Sequence, residues 1–278
     1  MKLFATLLLA VTSAHAAEFS LYAIKSPKLL DWTTPRSLIS TTLRGAIGGA
    51  SHQIGHVFVG FKCDGEAEVL SGMTNGPGFS SRTNLLKKKH GMSVLIQDNS
   101  GRLQLTEEVQ KDILKLSKGN RMSVMKMEIA NDQCLRMKDW YREYSLRTPI
   151  IYGGVDKRPL NGEGAGCSAY AMSFFEYAYL DYPEFNQRFE KTVYIPNELL
   201  GSDTFKVGLG TIYGNRKKLA VPTANSLEVK LYDPNTMYLW ILKQVAEVEK
   251  TGKANDLPNY QATTTKLNKS KILILKNR

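Results

Sequence analysis

Two hydrophobic runs of β-strand character stand close together in the first third of the chain. The first covers residues 56–63 and the second covers residues 66–73, with one Asp-Gly pair between them. An Asp-Gly pair is preferred by the two-residue type I′ turn of a hairpin. The pattern therefore predicts an antiparallel hairpin in which His56 lies opposite Met73.

The rest of the chain alternates between strand-like and helix-like periods. Strands are predicted at five further places, which are residues 19–24, 93–97, 122–129, 206–213 and 226–232. Helices are predicted from Thr34 to Gly48-Gly49, near residues 82–89, from Thr106, from Asn131, over residues 167–180 and over residues 234–250. No internal repeat and no sharp change of composition divides the chain, so one domain is predicted over residues 17–251.

The first sixteen residues have the pattern of a secretory signal. A basic start at Lys2 precedes an apolar run over residues 3–11, and Ala-His-Ala at 14–16 fits a small-residue cleavage site. Ala17 is therefore the expected mature N-terminus. No other stretch approaches the ~18 consecutive apolar residues of a membrane-spanning helix, so a secreted or periplasmic protein without a transmembrane segment is predicted.

The composition excludes several classes of protein, and the chain has a large net positive charge. The 278 residues are 42% hydrophobic and 23% charged, which excludes a disordered polymer, a fibrous repeat and a small disulfide-stapled scaffold. The formal charge is +11, or +10 without Lys2, and residues 252–278 carry six basic residues and one acidic residue. This tail is predicted to be mobile. Its charge favours an anionic envelope polymer over nucleic acid, or simply maintains solubility.

Three cysteines in an exported chain leave at least one thiol unpaired, and counting alone does not choose among the three possible bridges. Cys167 follows a Gly-rich loop and opens an apolar helix. The free N–H groups and the dipole at a helix start lower a thiol's pKa and bind an oxyanion. Cys167 is therefore the candidate nucleophile, with a buried or bridged structural cysteine as the alternative. If one bridge forms, it is expected between Cys63 and Cys134.

A thiol nucleophile needs a base, and three histidines follow the signal. His56 is the best placed because it begins a strand, whereas His90 is predicted to be exposed in a turn. The expected hairpin register puts Asn75 and Ser71 on the same face as His56, in that order of preference for orienting the imidazole. The alternative is that both are ordinary polar residues near a strand end.

Two segments resemble a known family. Gly-Cys-Ser-x-Tyr at 166–170 resembles the Cys-Ser-x-aromatic signature of papain-like NlpC-type cell-wall cysteine hydrolases, and Gly-His-Val at 55–57 resembles the strand that carries their histidine. The histidine comes first, as in the circularly permuted branch that includes lecithin-retinol acyltransferase-like enzymes. The resemblance implies an α+β fold with a small antiparallel sheet packed on the nucleophile helix, with Cys167 as nucleophile and His56 as general base.

The predicted function is an exported cysteine hydrolase that cleaves an amide bond, first of all in cell-wall peptidoglycan peptides. Backbone N–H groups of Cys167 and Ser168 are expected to stabilise the oxyanion. No cofactor or metal is implied, and basic runs without interleaved aromatic residues predict no nucleic-acid partner. Two alternatives remain open: a non-catalytic binding or structural protein of the envelope, and an acyltransferase or lipid hydrolase that uses the same Cys-His pair.

Overall fold

The chain folds as an α+β protein, as predicted. The computed structural model describes residues 17–46, 51–77, 81–148 and 150–277. The predicted signal, residues 1–16, and the predicted helix end at residues 48–49 lie outside the described residues. No helix in these described ranges is both long enough and apolar enough to cross a membrane.

The described chain contains ten strands and eight α-helices. The strands are β1 Ala17–Ile24, β2 His56–Lys62, β3 Val69–Asn75, β4 Asn99–Gln104, β5 Met122–Ile129, β6 Ile151–Tyr152, β7 Glu190–Pro196, β8 Ser226–Tyr232, β9 Tyr260–Leu267 and β10 Ser270–Asn277. The helices are α1 Pro35–Ala46, α2 Ser81–Leu86, α3 Thr106–Ser117, α4 Asn131–Ser145, α5 Cys167–Tyr177, α6 Tyr182–Phe189, α7 Leu209–Gly214 and α8 Pro234–Thr251.

Eight of the strands form one sheet in the order β6-β4-β3-β2-β1-β5-β10-β9, and β7 pairs with β8 in a separate ribbon. Neighbours in the large sheet are antiparallel except β5 and β10, which run parallel. The sheet is therefore large and mixed, whereas the family resemblance implied a small antiparallel sheet. The difference arises because strands from both ends of the chain join the same sheet.

Helices cover both faces of the large sheet. One face, which we call the α5 face, presents Val57, Val59 and Phe61 to a core shared with α4, α5 and α8. The opposite face, the α3 face, presents Phe58 and Leu70 to the apolar side of α3. Successive residues of β2 thus enter two different cores, as the alternation of a strand requires.

The basic C-terminal segment is ordered as part of the sheet, in contrast to the mobile tail predicted for residues 252–278. β10 lies inside the sheet, between β5 and β9. Leu273 and Leu275 are fully buried on the α5 face, and Ile272 is buried on the α3 face. The segment is rich in lysine, but its apolar residues determine where it lies in the sheet because they fill both cores.

Two local predictions are corrected by the fold. Residues 93–97 do not form a strand; a 3-10 turn occupies Met92–Leu95, and the unpredicted strand β4 follows it. The predicted strand at 206–213 contains helix α7 instead. Short apolar runs fit a strand or a buried helical turn equally well, and here Met92 and Ile212 fill a smaller core around the β7-β8 ribbon.

The two predicted partner cysteines form the disulfide. Cys63 and Cys134 are bonded, with their Cα atoms 5.4 Å apart. The bridge ties the end of β2 to the first turn of α4 on the α5 face. Cys167 is the free, buried thiol, as expected if a single bridge forms.

Candidate active site

A glycine-dependent contact fixes the start of α5. The chain before the helix runs beside β6, with the Ala165 N–H donating to the Ile151 carbonyl (3.1 Å) and the Gly153 N–H donating to the Ala165 carbonyl (3.2 Å). Gly164 has φ +85°, and a Cβ there would lie 2.6 Å from the Ile151 oxygen. Only glycine allows this approach, which sets Cys167 against β2.

Four polar groups face the sulfur of Cys167. They are the backbone N–H of Val57, the backbone N–H and hydroxyl of Ser168, and the hydroxyl of Tyr152; the Ser168 oxygen lies 3.9 Å from the sulfur. Each favours the thiolate, but burial outweighs them and raises the pKa of Cys167. At neutral pH the residue is therefore a thiol.

His56 is a neutral imidazole with one nitrogen already engaged. Its Nε2 lies 3.0 Å from Oε1 of Gln104. Because that oxygen only accepts, Nε2 carries the proton and Nδ1 is left as the basic nitrogen. The rings of His52 and Phe58 lie 4.4 and 4.6 Å away between centroids. Burial lowers the pKa of His56 to about 4.

The Cys167 thiol and the His56 imidazole both lie near the start of β2 but contact different groups. Pairing between β2 and β3 ends at Phe58 and Gly72, so the N–H of Val57 faces the Cys167 sulfur rather than β3. Val57 directly follows His56. The imidazole itself lies on the α3 face beside Phe58, and no hydrogen bond joins it to the sulfur. The Cys167 sulfur thus faces the residue that follows His56, while the His56 side chain lies on the α3 face and makes no hydrogen bond to the sulfur.

The predicted hairpin register is wrong by one residue. Phe61 lies opposite Val69, not Glu68, and Val59 lies opposite Ser71. The Glu66 N–H bonds the Cys63 carbonyl, as the predicted Asp64-Gly65 turn requires, and the extra residue lies between Glu66 and Val69. β3 is buried on both faces, so its hydrophobic pattern could not fix the register. A one-residue slip reverses the face of every side chain.

Ser71 and Asn75 therefore lie on the α5 face and do not orient His56. The Ser71 hydroxyl bonds the hydroxyl of Tyr170 in α5 at 3.0 Å, and Oδ1 of Asn75 is buried without a hydrogen-bond partner among the described residues. Gln104 holds the imidazole instead. Sequence reasoning missed it because β4 was not predicted. The sequence signal for it is that Gln104 comes directly before an apolar residue, Leu105, and the start of helix α3.

The two predicted oxyanion donors are already occupied. The N–H of Cys167 faces the Tyr152 hydroxyl, and the N–H of Ser168 faces the Cys167 sulfur. A substrate oxygen that bound at the start of α5 would take the place of the Tyr152 hydroxyl. Tyr152 thus contacts the Cys167 donor, whereas the Ser168 donor faces the thiol.

The other two histidines make separate contacts. His90, predicted to be exposed, is buried, with Nε2 3.0 Å from Asp203 and Nδ1 3.3 Å from Gln97. His52 stacks on His56, and its Nε2 lies 3.6 Å from Asp112 on α3. Within the described ranges, no three His, Cys, Asp or Glu side chains are arranged to hold a metal ion.

Comparisons with known proteins found no relative of this chain. No family model, no curated protein and no solved structure matches the chain. The fold and the site are therefore interpreted from their own geometry.

The burial of Cys167 makes a direct prediction for thiol labelling. Iodoacetamide at pH 8 should modify the native protein at least about tenfold more slowly than the unfolded protein, because the native thiol is enclosed and its pKa is raised. The unfolded chain in guanidinium without reductant is the matched control, since the disulfide leaves Cys167 as the single reactive thiol. Native labelling as fast as unfolded labelling below pH 8 would show an exposed thiolate and contradict the described site.

Proposed function

We propose that this protein is an exported cysteine hydrolase with a papain-like site, in which Cys167 is the nucleophile and His56 the general base. The supporting observation is the position of the Cys167 thiol relative to the start of β2. A free thiol at the start of a buried helix faces the main chain next to His56. Gln104 holds Nε2 of that histidine and leaves Nδ1 basic. Acyl transfer requires a thiol, an oriented imidazole and helix N–H groups, and here a substrate oxygen gains the Cys167 N–H by displacing the Tyr152 hydroxyl.

The proposed reaction begins from a neutral pair. The carbonyl oxygen of the substrate displaces the Tyr152 hydroxyl from the N–H of Cys167, and the His56 imidazole moves from its stacked position on the α3 face to within hydrogen-bond distance of the sulfur. Nδ1 of His56 takes the thiol proton as the sulfur bonds to the carbonyl carbon. The same proton then passes to the leaving amine as the C–N bond breaks. Water, deprotonated by His56, hydrolyses the thioester and restores the thiol.

Gln104 is a positioning residue in this scheme. It accepts from Nε2–H, stabilises that tautomer and supports the imidazolium formed during proton transfer. Its neutral amide adds no charge, which agrees with a histidine whose pKa is lowered to about 4 by burial. We propose an amide bond in a peptide of the cell wall as the substrate, with the signal segment carrying the protein to that compartment.

The test measures release of new amino groups from purified peptidoglycan by the full mature chain. Cys167→Ala should lower the rate at least about a thousandfold, and Gln104→Leu on the order of a hundredfold, because removing an acid-base contribution costs about that much. Gln97→Leu is the matched control, since Gln97 pairs with His90 as Gln104 pairs with His56; it should stay within about threefold. Activity retained by Cys167→Ala, with its thermal midpoint unchanged, would refute the hydrolase.

A non-catalytic binding protein of the envelope is the second candidate. It is favoured by the protonated, buried thiol and by the Tyr152 hydroxyl that contacts the N–H of Cys167. In that case neither peptidoglycan nor other amide substrates release product, while the chain still sediments with purified cell wall. The activity assay and the sedimentation assay together separate the two functions.

A further inference from the structure

A groove of about 410 Å³ lies beside α5, away from the thiol. Its walls come from the Gly-rich loop before α5, from one face of α5, from α6 and from the β7-β8 ribbon. Cys167 does not line it. A volume of this size is in the range of small-ligand sites, and the groove is a separate feature from the proposed catalytic site.

Two basic residues of the groove have hydrogen-bond donors without a partner in the described chain. Arg158 bonds Glu190 through Nη2 at 2.9 Å and lies over the Tyr232 ring at 5.2 Å. Its Nη1 is buried and has no hydrogen-bond partner in the described chain. Lys230, which also lines the groove, is exposed and forms no ion pair with any described residue. A buried guanidinium nitrogen without an acceptor is costly, so this part of the groove is suited to an anionic oxygen.

The groove also has an acidic side chain, Glu176. Glu176 is half-buried on α5 and forms no ion pair with any described cation; its carboxylate faces the hydroxyl of Tyr182. That hydroxyl lies 3.1 Å from the hydroxyl of Tyr232, which also donates to Asn186. The contacts thus run from Glu176 through the two tyrosine hydroxyls to the ring over which Arg158 lies.

We infer that this groove binds a short zwitterionic peptide, with its carboxylate at Arg158 and Lys230 and its ammonium group at Glu176. The two tyrosine hydroxyls can bond the peptide groups of such a ligand. A simple anion would leave Glu176 unpaired, and a simple cation would leave Nη1 of Arg158 unpaired. A ligand with both charges satisfies both side chains at once.

The experiment titrates the mature protein with trialanine, its N-acetyl form and its C-terminal amide, by calorimetry at low ionic strength. Trialanine should bind at one site per chain, at least about tenfold more tightly than either blocked form, because each block removes a charge-assisted hydrogen bond. Glu176→Gln should abolish the preference for the free amine over the acetylated peptide. Lys230→Met should weaken trialanine about threefold, in keeping with an exposed charge.

Two controls make the outcome decisive. Lys253→Met removes an exposed lysine outside the groove and should leave binding unchanged. Cys167→Ala should also leave binding unchanged, so that loss of hydrolysis and loss of peptide binding are seen separately. Absence of saturable binding by trialanine overturns the inference, as does equal binding of all three probes or of the free and acetylated forms in the unsubstituted chain.

Discussion

A chain that ends at Thr251 is expected not to fold. Deleting residues 252–278 removes β9 and β10, takes from β5 its parallel neighbour and uncovers α8, which packs on both strands. The deletion removes, among others, the fully buried side chains of Leu273 and Leu275. At about 1.5–3 kcal/mol for each buried aliphatic side chain, the hairpin contributes a large share of the roughly 5–15 kcal/mol that keeps a domain folded.

The truncated chain should therefore show no cooperative thermal transition and a weak near-ultraviolet circular dichroism signal. The matched control keeps the length and removes only charge, by replacing the exposed residues Lys253, Lys266 and Lys269 with Gln. That variant should melt within a few degrees of the parent. A truncated chain with the parent's thermal midpoint would show that the segment is dispensable, as the mobile-tail prediction required.

The second large effect is a loss of stability between pH 6.5 and pH 4. Burial lowers the pKa of His56 from 6.5 to about 4, and burial together with the charge of His56 lowers that of His52 to about 3. In this window the unfolded chain binds more protons than the folded chain, so the free energy of unfolding falls as the pH falls. His56 alone accounts for about 3 kcal/mol, and the stacked His52 adds to it.

Urea unfolding at several pH values measures this effect. His56→Gln should reduce the slope of stability against pH between 6.5 and 4, and the double variant with His52→Gln should reduce it further. Carboxylates titrate in the same range, so the comparison is the difference between parent and variants, not the slope itself. A double variant with the parent's slope would contradict the neutral, buried state of the two imidazoles.

The sequence located both partners of the candidate site but not their neighbours. Cys167 and His56 were found because each stands at a local boundary, a helix start and a strand start, which short patterns reveal. The group that orients the imidazole was assigned to Asn75 and Ser71 and proves to be Gln104. A shift of the register by one residue leaves the local sequence pattern unchanged. It nevertheless moves every side chain of the strand to the other face, so different side chains become neighbours.

The sequence by itself determined the α+β class, the helix that begins at Cys167, the strand that begins at His56 and the odd thiol left by the Cys63–Cys134 bridge. Only the tertiary structure decided the register of β3, the place of Gln104 and the insertion of β10 beside β5. Periodicity and capping are properties of neighbouring residues and can be read locally. Pairing between distant strands depends on how much apolar surface both faces of the sheet bury. That burial is complete only when the whole core is assembled.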